Sequence, residues 1–186
     1  MCDPTSQHES MRTVLVIDDN PAVGTSLDLL FGLREIRTLT AQSPGDGLAV
    51  LAREPIDLVV QDMNFTADTT SGEEGIALFR AIRERHPDLP IVLLTAWTHL
   101  ETAVELVKAG AADYQAKPWD DHKLVATVEN LLELSEATRE VARFRDERRR
   151  RRKALDAQYD LRGLVFASAA TERVVELACQ VARADI

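Results

Sequence analysis

The sequence predicts a doubly wound α/β domain with a five-stranded parallel sheet, followed by an extended C-terminal helix. Two observations carry this prediction. Short apolar runs alternate with segments of helical spacing from Thr13 to about Glu133, as in a parallel sheet with crossover helices. Neither Gly nor Pro occurs from Asp120 to Arg162, a stretch longer than a typical globular helix.

Five apolar or β-branched runs are typical of strands covered on both faces. They lie at Val14–Ile17, Ile36–Leu39, Leu58–Gln61, Ile91–Leu94 and around Tyr114. Strands that helices cover on both sides have continuous rather than alternating apolar residues, which indicates a parallel sheet with right-handed crossovers.

Segments of helical spacing separate these runs. Apolar residues recur every three or four positions at Val23, Leu27, Leu30 and Phe31, at Leu48 and Leu51, at Ile76, Phe79 and Ile82, and at Val104 and Val107. Pro21 and Pro44 stand where the first turn of a helix tolerates proline.

Polar residues stand at or just beyond the ends of four predicted strands. They are Asp18, Asp19, Asp62, Thr95 and Lys117. The carboxyl ends of parallel strands share one edge of the sheet, so these side chains are expected to face one another. Three carboxylates suit Mg²⁺, and Asp62 would be the nucleophile for a phosphoryl group. Each residue alone also has an ordinary explanation as a cap, turn or strand residue; their joint occurrence favours the site.

Four motifs resemble the receiver domain of bacterial two-component response regulators. The resemblance covers roughly residues 11 to 133, and the motifs are Val14–Asn20, Asp62-Met63, Leu94-Thr95-Ala96 and Ala109–Pro118. It implies a flavodoxin-like receiver fold and a cis Lys117-Pro118 bond.

The resemblance also implies a role for each site residue. Asp62 would be the phosphoacceptor, Thr95 the switch hydroxyl, Tyr114 the switch aromatic and Lys117 the phosphoryl-binding lysine. The ligands of Mg²⁺ would be Asp18, Asp19, Asp62 and the backbone carbonyl of Asn64. A sensor histidine kinase would donate the phosphoryl group.

The loop after the acceptor departs from the family pattern. It lacks the usual proline, and residues 64–74 make it longer by about five residues than the family's loop. A lid over the site and a passive surface insertion are both compatible with this polar segment.

The last helix is expected to continue beyond the domain as a dimerisation linker over residues 134–160. Apolar or small residues recur at heptad spacing at Leu134, Ala137, Val141 and Phe144. A second copy of the chain would cover this seam; the alternative is a solvent-exposed amphipathic helix resting on its own domain.

The residues between Arg139 and Lys153 are strongly basic. Of 22 basic and 31 acidic residues, nine basic and three acidic ones fall in this stretch, which leaves 13 basic and 28 acidic residues elsewhere. The unbroken run Arg148–Lys153 is interpreted by default as a solvated linker face, and contact with DNA or an anionic partner is the alternative.

The last residues resemble a second family. Leu161–Val165 and Glu176–Ala182 are similar to the start of the central AAA+ ATPase domain of sigma-54-dependent transcriptional activators. Residues 161–186 are therefore expected to be the opening of a truncated ATPase domain, without its phosphate-binding loop. Contacts with DNA and sigma-54 RNA polymerase would come from domains missing from this chain.

The composition indicates a cytoplasmic protein. Of 186 residues 45% are hydrophobic, but no apolar run is long enough to cross a membrane. Residues 1–12 are expected to be a disordered tail without the features of a signal peptide. Two cysteines, Cys2 and Cys179, make no disulfide framework.

The function expected is that of a phosphorylated regulatory switch rather than an enzyme. Phosphorylation of Asp62 would alter dimerisation and control a sigma-54-type activator. One alternative is a pseudo-receiver that only docks or dimerises. Another is a Mg²⁺-dependent phosphohydrolase, which would need a general acid or base beside Asp62; Asn64 cannot supply it.

Overall fold

A five-stranded parallel sheet forms the centre of the fold. The computed structural model describes residues 11–65, 72–96, 100–158 and 168–183. The strands are β1 (Thr13–Ile17), β2 (Arg37–Ala41), β3 (Leu58–Asp62), β4 (Ile91–Thr95) and β5 (Asp113–Ala116). They lie in the order β2-β1-β3-β4-β5, and every neighbouring pair is parallel. The predicted sheet is confirmed.

Six helices occur in the described residues. They are α1 (Pro21–Gly32), α2 (Pro44–Leu51), α3 (Glu73–Arg85), α4 (Leu100–Lys108), α5 (Asp121–Gln158) and α6 (Ala169–Arg183). Pro21 and Pro44 occupy first turns, as predicted, and the side chains of Asn20 and Ser43 cap them by accepting backbone N–H bonds. Within the described ranges, no helix combines the length and apolar character that crossing a bilayer requires.

Strand β2 begins and ends later than the sequence predicts. The predicted span was Ile36–Leu39, whereas Arg37–Ala41 pair with Thr13–Ile17 of β1. Ile36 is buried in the core, and its N–H donates to the carbonyl of Phe31 at the end of α1. Ile36 therefore packs in the core next to α1, and it lies just before the edge strand β2 rather than within it.

Two apolar clusters cover the two faces of the sheet. One cluster contains apolar side chains of three strands together with Phe79 and Ile82 of α3. The strand residues are Leu15, Ile17, Val59 and Leu93. The second cluster contains side chains from the opposite face of the same strands, packed against α1 and α5. The strand residues are Val14, Val16, Val60 and Leu94. Burial on both faces explains the continuous apolar runs of the three central strands.

The chain divides into two compact units, residues 1–136 and 137–186. The first contains the sheet, helices α1–α4 and the start of α5. The bidentate ion pair between the Arg12 guanidinium and the Glu136 carboxylate, at 2.8 and 2.9 Å, lies at its border. The second contains the rest of α5 and α6. Residues 1–10 of the predicted tail, residues 66–71 of the loop and the segment 163–166 lie outside the described residues.

Candidate functional site

Three carboxylates meet at the carboxyl edge of the sheet. Asp18 and Asp19 follow β1, and Asp62 is the last residue of β3. One oxygen from each lies within 4.8 Å of the others. Because β1 and β3 are adjacent and in register up to the pair Ile17 and Gln61, the residues that follow emerge side by side. The expected convergence of these three side chains is present.

Lys117 bridges two of these carboxylates. Its Nζ lies 2.6 Å from Asp18 Oδ2 and 3.0 Å from Asp62 Oδ2. The backbone brings it there because β5 pairs with β4 and the Lys117 N–H then donates to the carbonyl of Thr95. The Lys117-Pro118 bond is cis, as the resemblance implied. An ammonium ion therefore already balances charge in the cluster.

Backbone N–H groups hold the other carboxylate oxygens. The N–H of Asn20 donates to Asp18 Oδ1 at 3.0 Å, and that of Met63 donates to Asp62 Oδ1 at 2.8 Å. The two buried carboxylates are thus fixed by their own strand ends before any ligand binds.

Burial and charge act in opposite directions on this site. Burial raises the pKa of Asp62; Lys117 counteracts this in part, and the charge of Asp18 adds to the increase. Burial alone would lower the pKa of Lys117, but the hydrogen bond with Asp18 and the charges of Asp62 and Asp18 outweigh it, so this pKa is raised. The lysine is therefore a firmly protonated cation beside a carboxylate whose ionisation has a cost.

Thr95 and Tyr114 lie on neighbouring strands next to the cluster. Thr95 ends β4 with 3% of its surface exposed, and its pairing partner in β5 is Ala116. Tyr114 lies in β5, opposite Leu93, and packs partly buried against the apolar cluster that contains Phe79. Tyr114 therefore stands on the strand that leads to Lys117, and Thr95 stands on the neighbouring strand.

Asn64 lies two residues beyond Asp62, where the loop before α3 begins; residues 73 and 74 of the predicted loop 64–74 belong to α3. Its side-chain Oδ1 is buried and accepts no hydrogen bond from the described residues. The left-handed Gly72 at the other end of the loop precedes α3, with a φ of 65°. A Cβ added to Gly72 would lie 3.9 Å from Asn64 Oδ1 and 3.9 Å from the carbonyl oxygen of Met63, so the two described ends of the loop lie close to each other.

Gln61 and Gly75 support the site in a way that the sequence did not reveal. The fully buried Gln61 donates from Nε2 to the Gly75 carbonyl at 2.7 Å. An added Cβ on Gly75 would lie 2.5 Å from the Cα and from the carbonyl oxygen of Met63. The first turn of α3 is therefore pressed against the backbone that follows Asp62. The glutamine within the otherwise apolar run Leu58–Val60 was the feature of the sequence that could have indicated this buried hydrogen bond.

The donor set fits a hard divalent cation. Clustered carboxylate oxygens are the ligands that Mg²⁺ prefers, and Asp18, Asp19 and Asp62 supply them within one small volume. The ammonium of Lys117 occupies only one oxygen of Asp18 and one of Asp62. Because a carboxylate oxygen has two lone pairs, the oxygens that already accept a backbone N–H can also share a metal ion with Asp19.

A family model matches most of the first unit. Residues 14–129 match the response regulator receiver domain. Apart from Thr13, the matched region contains all five strands, and it includes the three carboxylates, Thr95 and Lys117.

Curated relatives and solved structures agree with this match. The chain is 34% identical over 125 residues to the response regulator protein PilR of Pseudomonas aeruginosa, covering 67% of this chain and 27% of that protein. It is 32% identical over 119 residues to the DNA-binding transcriptional regulator NtrC of Salmonella typhimurium, covering 64% of this chain and 24% of NtrC. The chain thus spans about a quarter of the length of these relatives.

Two solved structures resemble different lengths of the chain. A signal receiver domain from Bacteroides fragilis is 35% identical with a TM-score of 0.58, covering 66% of this chain and 98% of that one. NtrX from Brucella abortus, in complex with ATP, is 27% identical with a TM-score of 0.63, covering 92% of this chain and 35% of that one. The fold, the carboxylate site and the family match together establish that this chain belongs to the response regulator receiver domain family.

Proposed function

We propose that this chain is the phosphoacceptor of a two-component signalling system, in which a sensor histidine kinase phosphorylates Asp62. The observation that carries the proposal is the position of Lys117 Nζ between Asp18 and Asp62, beside a third carboxylate. A phosphoryl group on Asp62 needs a cation for its oxygens and a metal site next to it, and this edge of the sheet offers both.

The transfer would form an acyl phosphate. A carboxylate oxygen of Asp62 attacks phosphorus while the bond from phosphorus to the imidazole nitrogen of the kinase histidine breaks, and the electron pair returns to the imidazole. Lys117 then contacts a phosphoryl oxygen as a point charge, and the Thr95 hydroxyl donates to another. Mg²⁺, held by Asp18, Asp19, Asp62 and the Asn64 carbonyl, would neutralise charge between the carboxylates and the phosphoryl oxygens.

The output would pass through strands β4 and β5 to helix α5. Movement of Thr95 and Lys117 toward the phosphoryl group would change the rotamer of Tyr114. The surface of α4 and β5 would then shift and bias how two copies pair. We propose that two copies pair through the receiver surface and the seam of residues 134–160. Exposed Leu134, Val141 and Phe144 on α5 support such a seam.

In the whole protein, this pairing would control a sigma-54-dependent activator in the cytoplasm. The similarity to PilR and NtrC over the receiver part supports this assignment. We assign residues 13–133 to the receiver, 134–160 to the linker and 161–186 to the start of the ATPase domain. Sequence-specific contacts with DNA and contacts with sigma-54 RNA polymerase would come from domains beyond these.

A switch is favoured over a turnover enzyme. Asn64, two residues from the acceptor, is neither an acid nor a base, and Lys117 has a raised pKa that disfavours proton release. A pseudo-receiver would not need an intact set of carboxylates, hydroxyl and lysine around one buried acceptor.

The test is phosphorylation by acetyl phosphate with Mg²⁺, followed by intact mass measurement. The wild type should gain one phosphoryl mass, and Asp62→Asn should gain none. Asp88→Asn, which removes an exposed carboxylate, is the matched control and should be labelled like the wild type. Labelling of Asp62→Asn would refute the acceptor assignment, and absence of label in the wild type would favour the pseudo-receiver.

A further inference from the structure

Helix α5 carries two different faces after it leaves the first compact unit. With 100° per residue, Leu134, Ala137, Val141 and Phe144 fall within an arc of roughly 80°. A second arc of roughly 80°, centred on the opposite side of the helix, contains four basic residues. They are Arg139, Arg143, Arg150 and Lys153. We call the second set the basic stripe. Up to Phe144, a partner helix on the apolar seam would leave the basic stripe facing outward; farther along the helix, Arg148 and Arg152 fall within the arc of the seam.

The basic stripe is open to solvent along its length. All four of its side chains are exposed, as is every residue from Glu136 to Arg151. The stripe extends over about 21 Å at 1.5 Å per residue. Asp146 is the one acidic residue in this arc of the helix, so the stripe keeps a net positive charge. The segment from Arg139 to Lys153 as a whole carries nine basic and three acidic residues.

The composition of this surface distinguishes between anionic partners. A protein interface is anchored by buried aromatic or apolar side chains, and single-stranded nucleic acid by aromatic stacking. The arc around the basic stripe contains alanines at Ala142 and Ala157 but no aromatic residue. Guanidinium groups match phosphate oxygens with paired N–H donors, and a row of them suits the regular charges of a duplex.

We propose that the basic stripe of α5 binds the phosphate backbone of duplex DNA without sequence preference. The inference depends on the helix and its charges, not on phosphorylation of Asp62. The linker helix would thereby increase the affinity of the protein for DNA.

Fluorescence anisotropy of the 186-residue chain with a labelled duplex of about 30 base pairs and arbitrary sequence tests the proposal. Binding should weaken with salt, with a slope of log K against log KCl of about −3 if roughly three cations contact phosphates. The variant Arg143→Gln/Arg150→Gln/Lys153→Gln should bind at least about tenfold more weakly at 50 mM KCl, with a slope of about −1, because Arg139 of the stripe remains.

A control variant separates this site from general charge. Arg80→Gln/Arg85→Gln/Lys108→Gln removes the same charge from exposed positions on α3 and α4 and should bind like the wild type. Helical content by circular dichroism should be the same in all three proteins. No binding by the wild type at 20 mM KCl, or equal losses in both variants, would overturn the proposal. Competition by polyglutamate as strong as by unlabelled duplex would assign the stripe to an acidic protein instead.

Discussion

Gly75 in the first turn of α3 lies against the backbone of Met63, the residue after the proposed acceptor. A Cβ at position 75 would lie 2.5 Å from the carbonyl oxygen and 2.8 Å from the carbonyl carbon of Met63. No side chain fits there, and backbone atoms cannot rotate away as a side chain can. The position of Asp62 in the site therefore depends on a glycine 13 residues later in the chain.

Gly75→Ala should destabilise the fold and disturb the site together. We expect a loss of about 2 kcal/mol in the free energy of unfolding, in the range of overpacking substitutions, and weaker Mg²⁺ binding. Urea unfolding and a Mg²⁺ titration measure the two effects. Gly32→Ala is the control, since nothing lies within 4 Å of its added Cβ, and it should be neutral or slightly stabilising. Equal changes in unfolding free energy and Mg²⁺ affinity for the two variants would contradict the close contact between Gly75 and the Met63 backbone.

Lys117→Met should affect stability and metal binding in opposite directions. Without the ammonium, the buried Asp18 and Asp62 lose their cation, so the metal-free protein should lose about 3 kcal/mol of unfolding free energy. Mg²⁺ would no longer compete with Nζ for the same carboxylates and should bind several-fold more tightly. Labelling by acetyl phosphate should nevertheless fall. Lys123→Met, at an exposed position of α5, should change none of these quantities.

Asp62→Asn should stabilise the metal-free protein at neutral pH. The raised pKa of Asp62 means that its ionisation has a cost in the folded state. That cost is fully present above the folded-state pKa and disappears as the pH falls below the ordinary aspartate value of about 4. We therefore expect a gain in the free energy of unfolding at pH 7 in EDTA, and this gain should fade on acidification. Lower stability of the variant at pH 7 would show that the ion pair with Lys117 outweighs burial.

Phe144→Glu should dissociate the proposed dimer. The side chain of Phe144 is 63% exposed, and a carboxylate at a seam position would face its symmetry mate across a coiled coil. Light scattering with and without acetyl phosphate should report one chain mass for this variant in both states. Ala154→Glu places the same charge away from the seam and should assemble like the wild type. If the wild type is monomeric both with and without acetyl phosphate, the proposal that the seam of residues 134–160 mediates dimerisation is wrong.

The fold and the members of the site could be predicted because local rules fixed them. Continuous apolar runs predicted the parallel sheet, and parallel strands necessarily bring their carboxyl ends to one edge, so Asp18, Asp62 and Lys117 had to converge. The boundaries of β2 were less certain, since an edge strand is half exposed and Ile36 serves helix packing instead.

Only the tertiary structure decided which groups touch. The bonds from Lys117 to both carboxylates, from Gln61 to Gly75 and from Arg12 to Glu136 join residues 14 to 124 positions apart. Such pairings depend on the distance between packed elements, which sequence periodicity does not encode. Periodicity alone did determine the two faces of α5, because one helix fixes the angles among its own residues. The sequence therefore determined the kind of site, and packing determined its geometry.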